Sequence, residues 1–315
     1  MNNHFPVNIL LPDTSKLFEV LCDKYELINN FSNGLSKKLE LVCTDDYLDN
    51  YAEVKKHFDE DNNIYYKIHI WDNYCQFLWS LCYASMVAID EYIIKPTLEP
   101  NHQIDHNKTE VGYDIFIQGM SLFQKNLEHR ANRGVFFNLP NPVNNIDDKN
   151  VLSANLLFKA SLCFVLFHEY QHFNLGHMEK TNDISDEYDA DYSAFFSMYE
   201  DTILEQRKYL SLGIVIASGS LIFMDNTAKG DDSHPDPDNR LQVLLNNIEN
   251  ELDPQGVDYC YCMATTLYKM WAFYYRLELI IPSMNFDITY KEYFSQILEA
   301  FNIYKQNLTH PTHQS

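Results

Sequence analysis

A nearly unbroken apolar run, Leu162 to Phe167, passes directly into His168-Glu169-Tyr170-Gln171-His172. Upstream, Ala154, Leu157, Ser161, Val165 and His168 follow one helical stripe, so this part of the chain has to form a buried helix that ends in ionisable groups. Buried histidine and glutamate are costly without partners. Two histidines four residues apart project from the same helical face and can reach one ion, with Glu169 beside them. The H-E-x-x-H spacing therefore points to a metal site rather than to a solvated polar face.

A second segment supplies what the first lacks. Glu187-Tyr188-Asp189-Ala190-Asp191 has the pattern E-x-x-A-D and begins 15 residues after His172, far enough for Gly176 to end one helix and for a second to return. Glu187 is the expected third ligand. Asp191 falls one turn later on the same face, where it can accept the other N–H of a ligand histidine and fix its tautomer. Ala190, between them, is small enough to let the two helices approach closely. Two imidazoles and one carboxylate leave a zinc ion one open position for water, whose pKa falls to about 7. Glu169 is then placed to take a proton from that water and to pass it to a leaving amine.

Other histidines need separate readings. The metzincin pattern would put a third histidine and a glycine where this chain has Met178 and Leu175, so that pattern fails. Gly176 reads as a helix C-cap, with His177 just beyond it near the negative end of the helix dipole, in a structural or substrate-side role rather than as a ligand. His102 and His106 lie among Pro100, Asn101, Asp105 and Asn107 and read as a solvated loop. In Ser233-His234-Pro235-Asp236-Pro237-Asp238-Asn239-Arg240, Asp236 and Pro237 suit the start of a helix that continues through Leu241, Leu244, Leu245, Ile248 and Leu252. The local pattern favours a capped helix start; the alternative has His234 and Arg240 facing the reacting group.

The order His168-Glu169-x-x-His172, Glu187-x-x-Ala190-Asp191, then His234-Pro235 with Arg240 resembles the gluzincin endopeptidases, and within them the Lit-type phage-exclusion peptidases. The resemblance spans most of the chain, although only the three motif blocks are specific. It implies a zincin-like core with His168, His172 and Glu187 as zinc ligands, Glu169 as catalytic base, and His234 and Arg240 as auxiliary groups near the substrate. It also implies an intracellular, cytoplasmic protease of defence or toxin type that acts on a host protein such as a translation factor once an activating peptide or protein signals infection. The acidic segments Asp45 to Asp61 and Asp225 to Asp238 depart from the family's pattern. A competing expectation is a non-proteolytic sensor or binding protein that keeps the zinc fold.

Composition narrows the field further. With 45 acidic against 23 basic residues and a formal charge of −22, the chain lacks the clustered Lys and Arg that nucleic-acid binding requires. Seven cysteines, Cys22, Cys43, Cys75, Cys82, Cys163, Cys260 and Cys262, show no C-x-x-C pair and read as small core residues in a reducing compartment. No signal peptide is evident, and the uncharged stretch Tyr209 to Met224 is short for a membrane span, so a buried helix is expected there.

The expected fold is mainly α with a small β-sheet. Residues 1–110 would form an N-terminal region holding strands Leu35 to Cys43 and Ile64 to Ile70 and an aromatic helix from Trp71 that stops before Pro96; residues 111–315 would form the helical peptidase region, the two making one intimate domain or two. Residues 99–150 are expected to be irregular, with Val135 to Leu139 as a candidate strand for aligning substrate. Helices are expected at 152–175, 185–205, 209–224, 238–251, 257–280 and 289–306.

Overall fold

The computed structural model describes residues 10–14, 16, 39–44, 52–58, 60–62, 64–99, 101–124, 148–177, 183–200, 202–224, 226–232, 234–277, 280–283 and 287–309. Three strands, β1 (Leu39–Thr44), β2 (Ala52–Phe58) and β3 (Ile64–Trp71), form a sheet in the order β1-β3-β2. Along β3, Tyr66, Ile68 and Ile70 are buried while Tyr65, Lys67 and His69 are half-buried, as the alternation predicts. β1 pairs with β3 in parallel, Leu41 opposite Ile68, and β2 pairs antiparallel, Val54 opposite Ile68. The two expected strands are thus both present, but the acidic connection between them holds a third. β2 carries consecutive exposed lysines, Lys55 and Lys56, as protected edge strands often do, and that charge hid it.

Helix α1 (Asp72–Ile89) follows β3 with no intervening loop, Trp71 serving as its N-cap position. Pro96 does not end it. A π-turn, Asp90–Ile94, leads into one further turn, Lys95–Leu98, where Pro96 sits in the first turn and its missing N–H costs little. The expectation of irregular structure over residues 99–150 is also corrected, because α2 (His106–Phe123) occupies much of it. Asp105 caps α2 by accepting the Lys108 N–H at 3.1 Å, and Gly112, Ile115, Phe116, Gly119 and Met120 form its buried face. That face lies along α1 at close range, since a Cβ on Gly119 would fall 2.6 Å from Ser80 Cβ. His106 is solvent-exposed but is the first residue of α2, and His102 lies in the loop before it with its ring turned to buried Glu91, Nε2 to Oε2 3.1 Å, rather than to solvent. Val135 to Leu139 lie outside the described residues.

Helix α3 (Lys149–Asn174) runs through the centre, capped by Asp148, which accepts the Asn150 N–H at 2.8 Å. It packs against α1, α4 (Ile184–Tyr199) and α5 (Leu204–Ser220), and its last turns meet β2. It stops at Gly176, whose φ of +73° reverses the chain at little cost. A 3-10 turn, Leu221–Met224, extends α5, then α6 (Pro237–Glu249), α7 (Pro254–Tyr274) and α8 (Tyr290–Thr309) complete the helical body. Three helical stretches, Asp72–Leu98, Lys149–Asn174 and Leu204–Met224, are long and apolar enough by composition to cross a membrane. The third is longer than the stretch expected from sequence. Most of each apolar window is nevertheless buried against protein, 72% in the case of α3. Cys75, Cys82, Cys163, Cys260 and Cys262 are free and buried, and burial pushes the Cys260 thiol up to about 12, which keeps it protonated and inert.

Candidate active site

The last turns of α3 and the first turn of α4 face each other because Gly176 turns the chain and Asp183 restarts it. Asp183 forms a capping box, accepting the Ser185 N–H at 3.2 Å while Asp186 Oδ2 accepts the Asp183 N–H at 3.3 Å. This places Glu187 in the first turn of α4, where the helix dipole favours a carboxylate. His168 Nε2 and His172 Nε2 are 3.0 Å apart, and Glu187 lies 3.5 Å from the former and 3.3 Å from the latter. Zinc bonds of about 2.0–2.1 Å at tetrahedral angles would separate ligand atoms by roughly 3.3 Å, so the three donors fit one ion. Among the described residues no other group of three histidine, cysteine or acidic side chains converges in this way.

Each donor is held from behind. His168 Nδ1 is 2.9 Å from Asp191 Oδ1, the partner expected from the E-x-x-A-D spacing. Arg240 Nε and Nη2 donate to the two Asp191 oxygens at 2.8 Å each, and Nη1 lies 2.8 Å from Glu187 Oε2. Arg240 is buried, and its planar fork is the side chain suited to orienting two carboxylates at once. His172 Nδ1 is 3.1 Å from His177 Nδ1, and His177 Nε2 is 3.4 Å from Asp186 Oδ1. His177 therefore stands behind a candidate ligand, as the second member of an Asp186–His177–His172 chain.

The electrostatics follow from this packing. Burial opposes a charge on His168, but Asp191 and Glu187 outweigh it and raise the imidazole to about 9. Burial would likewise raise Glu187, yet His168, His172 and Arg240 hold it well below the usual carboxylate range. Glu169 moves the other way: burial raises its carboxyl above the ordinary value despite the two histidines. Its Oε2 accepts the Val54 N–H of β2 at 3.0 Å.

These groups open onto a cavity of about 810 Å³. Its rim carries Lys229, Asp231 and His234. His234 is half-exposed, with Nε2 3.8 Å from Glu187 Oε1 and Nδ1 3.1 Å from Asp231 Oδ1. Both sequence readings of this region hold a part of the geometry: α6 begins after Asp236, and the residues before it bring His234 to the cavity. Asp236, however, makes no side-chain cap. It accepts the Gly230 N–H at 2.8 Å and the Lys305 ammonium at 2.7 Å, and Lys305 also reaches both Asp238 oxygens. Val54, Asp186 and Lys305 had no local signal, since each meets the site through the fold rather than through spacing.

A family model described as Peptidase U49 matches residues 68–263, more than half of the chain and every residue of the candidate triad with its partners. No curated protein and no solved structure matches the chain. β1, β2 and α8 lie outside the matched segment, although β2 and α8 supply Val54 and Lys305.

Proposed function

The chain belongs to the Peptidase U49 family, the Lit-type peptidases, and from that premise we propose that it is a zinc-dependent endopeptidase of gluzincin type acting on a host protein. The observation that carries this reading is the convergence of His168, His172 and Glu187 beside Glu169, on a cavity large enough for a stretch of peptide. Zinc, when bound by those three residues, supplies an acidified water and a Lewis acid for the scissile carbonyl.

The remaining steps belong to the chain's own side chains. Glu169 removes a proton from the attacking water and delivers it to the departing amine, and its raised carboxyl pKa makes it a stronger base than an exposed glutamate. Asp191 keeps His168 in the tautomer that presents Nε2 to the metal, and His177 does the same for His172. Arg240 holds Glu187 and Asp191 in register. His234, at the rim, is placed to donate to the oxygen on which charge develops.

A protein substrate follows from membership of a peptidase family. We read the enzyme as cytoplasmic, directed at a translation factor and switched on by an infection-derived peptide. This reading rests on the Lit resemblance, and the acidic surface suits a basic segment on either partner. New protein N-termini should be catalogued in a bacterial host, before and after phage infection, expressing either wild type or Glu169→Gln. The expected result is one or a few new termini with wild type alone; matching catalogues from the two forms would remove the proteolytic reading and leave a metal-binding sensor.

A further inference from the structure

The face of the sheet turned away from α3 carries a second convergence of imidazoles. Tyr66 packs its ring on Phe173 of α3, so its neighbour Tyr65 and every second residue from it, Lys67 and His69, stand on the opposite face. His57 of β2 lies opposite Tyr65 in the register and stacks on its ring, with centroids 5.4 Å apart. His57 Nε2 and His69 Nε2 are 3.3 Å apart, and both side chains are half-buried. Nε2 is far from the backbone, so the two side chains lean toward each other along the sheet and meet at their tips.

Lys55 and Lys67 are paired in the register between these histidines, yet both ammoniums have partners beside them. Lys55 pairs with Glu53 and lies 6.0 Å from the centre of the Trp71 ring, and Lys67 lies 5.5 Å from that of Tyr65. Two Nε2 atoms this close are joined either by one shared N–H or by a cation that takes both lone pairs. Ligand atoms on one tetrahedral zinc are about 3.3 Å apart, so the spacing suits an ion after a small rotation of the rings. The flanking lysines disfavour hard cations such as magnesium, which are held by charge and oxygen, whereas imidazole suits zinc and its neighbours in the transition series.

We propose that His57 and His69 form a second, weaker zinc site, a clip that ties edge strand β2 to β3. Neither histidine lines the cavity, so the clip is separate from the triad and does not rest on the peptidase reading. It nevertheless bears on that site, because His57 lies three residues after Val54, whose N–H Glu169 accepts at 3.0 Å. With two protein ligands instead of three, the clip fills only when free zinc is present and empties on desalting. The desalted chain keeps the triad's zinc alone.

Calorimetric titration of zinc into the desalted full chain should show one further equivalent, and titration of magnesium none. His57→Ala and His69→Ala should each abolish that equivalent while keeping the first zinc, which also reports that they fold. Glu187→Ala should do the reverse, taking up zinc only in the weaker mode, so the clip and the triad fail separately. Hydrogen exchange supplies a local reading: the β2 amides from Val54 to Phe58 should exchange more slowly with free zinc in wild type, and at an unchanged rate in either histidine variant. Absence of the further equivalent in wild type leaves only a hydrogen bond between the imidazoles and overturns the site. A further equivalent that survives either histidine substitution puts the ion elsewhere and overturns it as well, and exchange in β2 that ignores zinc in wild type overturns the clip.

Discussion

Arg240 is the residue on which the site's geometry turns, since its guanidinium donates to both Asp191 oxygens and also reaches Glu187. Arg240→Ala should remove the guanidinium from two buried carboxylates that then keep only histidine partners, lowering stability by about 3–5 kcal/mol in urea unfolding. Zinc affinity, measured by chelator competition, should fall about 10–100-fold. Arg240→Lys should recover little of either, because a point charge cannot reproduce the fork. His177→Ala tests the other arm: zinc affinity should drop by about tenfold with the fold intact, and an unchanged affinity would show that His172 is oriented by other means. His168, His172, Glu187 and Asp191 were legible in the sequence because one-turn spacings on a helix fix which side chains share a face. His177 and Arg240 were noticed, but the carboxylates they meet, Asp186, Glu187 and Asp191, come from α4, which spacing does not reveal.

At the scale of elements, the helices that carry the motif were legible from apolar periodicity and from capping residues, whereas β2 and α2 were not. α2 was hidden by the polar character of its region, and its two buried glycines, Gly112 and Gly119, permit the close approach to α1. The turn joining α1 and α2 depends on Glu91. Burial alone would raise this carboxyl, but the Lys95 ammonium, the Asp105 N–H at 3.2 Å and His102 outweigh it and hold it at about 2 against an ordinary 4.5. A depressed carboxylate stabilises the fold above its unfolded pKa and ceases to do so as pH falls through its folded one. Stability measured by urea midpoints should thus decline between about pH 4.5 and 2 more steeply in wild type than in Glu91→Gln. Lys305 of α8 has a comparable role near the site, pairing with Asp236 and Asp238 behind the segment that carries His234. Lys305→Met should reduce thermal stability and slow cleavage while leaving zinc affinity near wild type, because no ligand lies on that segment; loss of zinc would place α8 in closer control of the triad than its contacts indicate.

Across the whole molecule, the excess of acidic residues and the lack of a basic cluster were plain from composition, as was the helical majority. The way β2 and α8, outside the matched segment, close on the catalytic region was not, since those contacts join residues more than sixty positions apart. Zinc binding only to the folded chain should raise its stability by about 4 kcal/mol at a thousandfold excess over Kd, so chelation should lower the melting temperature. The central claim is that His168, His172 and Glu187 hold one zinc for Glu169 to use. Native mass spectrometry of wild type, Glu169→Gln and Glu187→Ala measures this directly: one zinc per chain is expected in the first two and loss of zinc in the third. Full zinc occupancy in Glu187→Ala, or none in wild type refolded with zinc, would contradict it.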